Sequence, residues 1–423
     1  MKNFFLDIFQ NPLFQNIEAS SIGKVLAWLL AIGSVGAVCG FMPLWMQSVY
    51  FVALALSLGY VLIGGIHFNG KYLTLYIVLV LNVLILPIDP VFNSKMRLLL
   101  FTVVTMVVSS ALVTKRAVVF RNMVFKNVLI LCSILVPISC LCRFLGLNYA
   151  RMVVSSDMNM QEQVTSTGLF GGLFQHSMML GPIAAIITIA FFFAYQSYGQ
   201  KKIYIVLFIM SALACFFSAS RGAVLSLVVP ILFALFSRKV DQSAKKSAKV
   251  IILVACLAIL PFAGSVFSGV VEKQQRNVEM GSTFGSRDDK FTFRWNEFLS
   301  SPIVGIGFAS IDPVGGDIYW PDGTIEPGSS HMAVLSMTGL FGALCYFLII
   351  LFAYNCVKNE DDTSAKFKKA LLIAMLLHAC WEGYVFSGGG FLCLLYWIIV
   401  GQAIDYKYLK KYRLLEEKVN SYE

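Results

Sequence analysis

Twelve apolar runs joined by polar connections leave this chain few ways to fold. They lie near 24–40, 43–65, 71–88, 96–113, 124–145, 169–195, 203–219, 222–237, 249–271, 331–356, 367–386 and 388–405. A helix needs roughly 20 apolar residues to cross the hydrocarbon of a bilayer. The third, seventh and eighth runs are the shortest. Of the 423 residues 58% are hydrophobic and only 13% charged. Soluble domains run near 45–50% apolar and about 25% charged, and their cores could not hide this excess. The expectation is an all-α, polytopic transmembrane helix bundle of about 12 spans, one integral membrane domain over 1–423. Aromatics at 14%, among them 35 Phe, suit lipid-exposed helices and interfacial belts. The first apolar run starts near Val25, late for a cleavable signal peptide.

The net charge of +10 follows the positive-inside bias. With a cytoplasmic N-terminus, 23 of the 33 Lys and Arg fall on the inner side, including every short basic cluster. Both termini are then cytoplasmic, and 406–423 is a cytoplasmic tail. No basic run interleaved with aromatics lies in a soluble segment, so no nucleic-acid partner is expected. Most of the ten Cys sit in apolar runs, and no C-x-x-C occurs. Neither a disulfide framework nor a metal site is suggested, and no cofactor is implied.

Two outer loops stand out: 146–168, and the much longer 272–330 between spans nine and ten. Connections this long are more often functional than idle. Within the second, Phe291, Trp295, Phe298 and Leu299 recur at helical spacing and predict an amphipathic helix over 288–300.

Charges at a membrane edge are costly and are functional suspects. Arg221, in Ser220-Arg221-Gly222-Ala223, either grips phosphate oxygens or snorkels to lipid headgroups. Arg287 precedes the amphipathic helix and Arg294 lies on it; each is an anion ligand or a solvated loop charge. His331 opens the tenth span, where Ser329 or Ser330 can cap the helix. A helix start favours an anion nearby, and a neutral His there can accept a proton. Glu382, a possible second base, stands four residues after His378, which would put both on one face of the eleventh span. Gln175, His176, Arg151 and Ser330 are further candidates for lining a site. Arginines, a helix start and a neutral His on one side of the membrane suit a diphosphate and a hydroxyl acceptor.

These residues resemble motifs of the O-antigen ligase and O-antigen polymerase superfamily of bacterial envelope glycosyltransferases, over roughly 168–345. Gly168-Leu169-Phe170 with Gln175-His176 is similar to its Gly-x-Phe segment opening a helix. Ser220-Arg221-Gly222 resembles its Ser-Arg turn. Arg287, followed by Pro302-Ile303-Val304-Gly305-Ile306-Gly307, resembles its loop Arg and Pro-Gly element. His331 with Leu335 and Gly339-Leu340-Phe341-Gly342 resembles its His-Asn element, with Met332 in place of Asn.

The resemblance implies a metal-independent transfer from an undecaprenyl-diphosphate-linked oligosaccharide to an acceptor sugar hydroxyl. Arg221 and Arg287, with Arg294 the alternative to Arg287, would bind the diphosphate, and His331 would activate the acceptor. It also implies the bacterial inner membrane, periplasmic placement of 146–168 and 272–330, and a site facing the periplasm. A polysaccharide polymerase is favoured, because Glu382-Gly383 followed by Ser387-Gly388-Gly389-Gly390 looks like what exopolysaccharide polymerases carry. A chain-length-regulating membrane protein would be its partner. The alternatives are a ligase to lipid A core and a protein O-oligosaccharyltransferase. A flippase or transporter of the same lipids would need two comparable halves and a polar central path. No repeat relates the halves, and spans one to five hold few ionisable residues at their centres.

Overall fold

A computed structural model describes residues 20–85, 93–150, 170–197, 201–236, 287–311 and 328–420. The described part is all-helical, with two isolated bridges, Cys39 to Phe174 and Phe68 to Leu112, in place of strands. Five helices make up the N-terminal part: α1 (Ser21–Gly36), α2 (Met46–Leu62), α3 (Gly70–Ile85), α4 (Ser94–Val108) and α5 (Lys115–Phe144). Then follow α6 (Ser177–Ser197), α7 (Lys202–Phe217) and α8 (Arg221–Phe236). The C-terminal part holds α9 (Arg287–Ser300), α10 (Ser330–Val357), α11 (Thr363–Ala379) and α12 (Phe391–Asn420). α5, α6 and α10 are long and apolar enough to cross a membrane. Five shorter helices, α1, α2, α3, α7 and α8, are also apolar. Eleven of the twelve apolar runs thus lie on helices, and the run at 249–271 lies outside the described residues.

Side-chain caps set several starts. Ser20, Asn93, Thr114 and Asp362 each accept from a backbone N–H three residues on, at 3.0–3.3 Å. Each satisfies one of the four donors that a helix start leaves without an internal partner. α6 is the hub: nearly every residue from Leu180 to Tyr195 is buried, against α5, α7, α8 and α11. α12 lies against α4, α5, α10 and α11. The outside is apolar as well. Leu340, Phe341, Leu344, Phe347, Leu348 and Leu351 form an exposed stripe on α10. A surface of that kind suits lipid rather than water.

Two expected boundaries move. α5 begins at Lys115, well before the expected 124, because Arg121 in its second turn is buried rather than solvated. Arg121, with no exposed surface, pairs through Nε and Nη2 with both oxygens of Asp405 at 2.7 and 2.8 Å. Its Nη1 donates to the Leu112 carbonyl at 2.8 Å, and Ser110 donates to Asp405 at 2.5 Å. α12 likewise runs on through Asn420, so the segment read as a tail is helical that far.

Contacts between the helix ends sort the connections to two ends. Arg121–Asp405, Lys410–Glu360 and the Tyr406–Asp362 hydrogen bond mark the basic end. At the opposite end lie the tight turn 218–220, the hairpin 170–176, the segment 301–311, and the turn 380–390 between α11 and α12.

Candidate functional site

The far end of the bundle collects three helix starts around one turn. The first is that of α8. Ser220 caps it by accepting from the Ala223 N–H at 3.3 Å, and Ser218 Oγ donates to the Cys215 carbonyl at 2.7 Å. Ala219 between them has φ of 52°, a left-handed conformation that costs a non-glycine residue about 1–3 kcal/mol. Arg221, half-buried, is the first residue of α8. Gly222 follows it because Trp381 lies against the backbone there: a Cβ would stand 3.1 Å from Trp381 Cδ1.

The second start is that of α9, the expected amphipathic helix, which opens at Arg287. Phe291 meets the same Trp381 with ring centres 6.5 Å apart. Further along, Arg294 and Glu297 turn inward and are buried. Arg294 Nη1 donates to Glu297 Oε2 at 2.7 Å and to Ser336 Oγ at 3.3 Å. Of the two loop arginines, Arg294 therefore has its charge neutralised inside the protein.

The third start is that of α10. Ser329 is its N-cap, accepting from the Met332 N–H at 3.5 Å. Ser330, buried, ties the turn after α11 to this start. Its hydroxyl donates to the Glu382 carbonyl at 2.6 Å and accepts from the N–H groups of Tyr384 and Val385 at 2.9 and 3.2 Å. Glu382 is 8% exposed. α11 ends at Ala379, short of the expected 386, and Glu382 lies in the turn that follows, its N–H bonded to the His378 carbonyl at 3.2 Å. The backbone bends there to bond Ser330. His378 Nδ1 lies 3.2 Å from the Tyr384 hydroxyl. His331 lies half-buried just inside α10, with Nε2 3.1 Å from the Leu376 carbonyl and Nδ1 3.2 Å from the Tyr346 hydroxyl.

Trp381 and Ser330 thus draw the starts of α8, α9 and α10 to one turn, each start presenting N–H groups and the positive end of a helix dipole. Other candidates serve the scaffold. Gln175 Nε2 donates to the Ala37 carbonyl at 2.5 Å, stitching the 170–176 hairpin to the end of α1. His176 Nδ1 accepts from the Met178 N–H at 3.0 Å and so helps to open α6. Arg151 lies outside the described residues. Gly388, at φ 57°, permits close packing: a Cβ would fall 2.8 Å from the Arg97 carbonyl.

Three contributors escaped the sequence reading. Trp381 was visible beside Glu382, but only as an apolar residue. Tyr346 carried no signal, being one aromatic in an apolar span. Asn82 is the third, and its partners are more than two hundred residues away. α10 is broken at Gly339 (φ 60°, ψ −164°), which frees carbonyl and N–H groups inside the bundle. The 302–307 segment fills the gap. Ile306 and Gly307 donate to the carbonyls of Ser336 and Met337 at 2.9 and 3.0 Å, and Leu340 donates to Pro302 at 2.9 Å. Gly305 and Gly339 must both lack side chains, since a Cβ on either would stand about 2.5 Å from the other's amide. Asn82 of α3 seals the seam, donating to the Val304 carbonyl at 2.7 Å and accepting from the Phe308 N–H at 2.5 Å.

No curated protein matches this chain. A family model does, and its matched segment begins within α7 and ends within α10. It takes in the Ser-Arg-Gly turn, α9, the glycine seam and the His331 start. Residues 205–347 match the O-antigen ligase family model, which is consistent with the wider O-antigen ligase and polymerase superfamily.

Proposed function

We propose that this protein is a polysaccharide polymerase of the bacterial inner membrane. It moves a glycan from undecaprenyl diphosphate to the hydroxyl of an acceptor sugar, at the end of the bundle that holds the three helix starts. Members of the matched family are membrane glycosyltransferase-like enzymes, and the family implies lipid-linked glycan and acceptor substrates. The observation that carries the reading is the convergence of helix starts opening with Arg221, Arg287 and Ser330-His331 around Trp381 and Glu382.

In the transfer, the acceptor oxygen bonds to the anomeric carbon as the bond from that carbon to the diphosphate oxygen breaks. The electron pair leaves with the diphosphate, and the acceptor proton passes to His331. Charge grows on the leaving diphosphate, so guanidinium groups of Arg221 and Arg287 beside it stabilise the transition state more than the ground state. Arg294 is left to its ion pair with Glu297. The apolar flanks of the helices receive the polyprenyl chain, no metal is required, and the site faces the periplasm.

A ligase that passes the glycan to lipid A core fits the family match equally well. The two readings share donor and site and differ in acceptor. Purified protein with lipid-linked repeat units tests the proposal. Longer products are expected from wild type, and none from Arg221→Ala, Arg287→Ala or His331→Ala inserted at normal levels. Normal extension by all three variants overturns the site. Products formed only when lipid A core is supplied turn the assignment to ligase.

A further inference from the structure

We propose that Tyr346, backed by Tyr396, is a positioning residue that orients the basic Nδ1 lone pair of His331, whose Nε2–H tautomer is set by the Leu376 carbonyl. The inference rests on the reading of His331 as proton acceptor and names the nitrogen that accepts.

The hydrogen-bond partners decide the tautomer. A carbonyl oxygen only accepts, so the 3.1 Å contact with the Leu376 carbonyl requires the hydrogen on Nε2. That carbonyl lies near the C-terminal end of α11. The amide that would close its helical bond, that of Cys380, turns to Leu377 instead at 3.2 Å. The negative end of the α11 dipole faces the imidazole there and favours a donor. The neutral ring keeps one lone pair, on Nδ1, 3.2 Å from the Tyr346 hydroxyl. Tyr346 therefore donates to His331. Having one hydrogen, it accepts from its other neighbour, the Tyr396 hydroxyl at 2.5 Å. The order runs from Tyr396 to Tyr346 to His331.

Both phenols are fully buried, and Phe386 and Trp397 flank the Tyr346 ring. Neither phenol is open to substrate, which makes their role one of orientation.

The bend at Gly339 is what allows the contact. His331 and Tyr346 are fifteen residues apart on α10. A continuous helix rising 1.5 Å per residue would hold their backbones about 22 Å apart, too far for the side chains to meet. The break folds the first turns of α10 back over the rest. The glycine seam at 302–307 and Asn82 hold it there. The Pro-Gly element and the His element thus act together: one keeps the bend, and the bend delivers the His to Tyr346. When an acceptor hydroxyl approaches Nδ1, the Tyr346 hydroxyl yields the position and keeps Tyr396 as partner. The proton moves from the acceptor oxygen to Nδ1, and the imidazolium retains its Nε2–H bond to Leu376.

Nitrogen NMR of full-length, 15N-histidine-labelled protein in nanodiscs tests this. The chain has four His, and the spectrum of His331→Gln identifies the signal of interest. Wild type is expected to show a protonated Nε2 and an unprotonated, hydrogen-bonded Nδ1, and Tyr346→Phe to keep that tautomer while its Nδ1 resonance moves downfield as the lone pair loses its hydrogen bond. With lipid-linked repeat units, Tyr346→Phe is expected to lower kcat about 10-fold at unchanged KM. Removal of a general base costs more, about 100- to 10,000-fold. Tyr396→Phe is expected to do less than Tyr346→Phe, because Tyr346 keeps its bond to His331. A protonated Nδ1 in wild type overturns the inference, as does a Tyr346→Phe protein with the wild-type spectrum and kcat. The expected spectra with a fully active His331→Gln would overturn the proton-acceptor reading alone.

Discussion

The two ends of the bundle handle charge in opposite ways. At the basic end, Arg121 meets a carboxylate, a carbonyl and no solvent, and Asp405 takes two guanidinium donors and the Ser110 hydroxyl. Lys410 likewise meets Glu360 at 3.0 Å. These two charges close on fixed counter-charges, and the first pair ties α5 to α12. At the other end the polar side chains sit at helix starts, and much of the bonding around them is to backbone. Ser330 bonds the 382–385 backbone, and His331 reaches a carbonyl and a phenol. The ion pair of Arg294 with Glu297 there is turned inward. An end whose charges are cancelled from within gives stability. One built from helix dipoles and half-buried basic groups is able to meet an anion from outside.

That contrast can be broken by substitution. The largest effect is expected at the basic end: Asp405→Ala strands two buried guanidinium donors of Arg121 and should lower stability by about 3–5 kcal/mol. Thermal unfolding in detergent reads it, and a joint Arg121→Met and Asp405→Leu exchange should recover most of the loss. Next is Arg221→Ala. It should cost roughly 100- to 1,000-fold in transfer rate, with an unfolding temperature near that of wild type. A comparable loss of stability there would erase the distinction between the ends. Asn82→Ala sharpens it, since it leaves the Phe308 N–H buried and unpaired. The expected cost is about 1–3 kcal/mol, together with reduced activity, because the bend that positions His331 loosens. The smallest effect is that of Ser329→Ala, which removes the α10 cap and should cost about 1 kcal/mol.

Most of the helices were legible because apolar runs of bilayer length have one good solution in lipid. α9 was legible from its periodicity: Phe291, Trp295 and Phe298 recur on a polar background. What escaped depends on partners remote in sequence. The early start of α5 follows from Asp405, 284 residues away, which lets Arg121 enter the interior. The position of Glu382 follows from Ser330, whose hydroxyl bends the chain just where periodicity alone would continue the helix. In the site, the Ser-Arg-Gly turn and the His331 start were readable as motifs. The reason for the glycines was not. Gly305 and Gly339 belong to different motifs and make sense only as the two sides of one backbone seam.

The central claim is that the α8 and α9 starts hold the donor's diphosphate. Its most direct test is equilibrium binding of undecaprenyl diphosphate to the purified protein in nanodiscs, comparing wild type, Arg221→Ala and Arg287→Ala. A charge-assisted contact of about 1.5–3 kcal/mol predicts a loss of affinity of roughly 10- to 150-fold for each variant. Unchanged affinity in both variants would contradict the account.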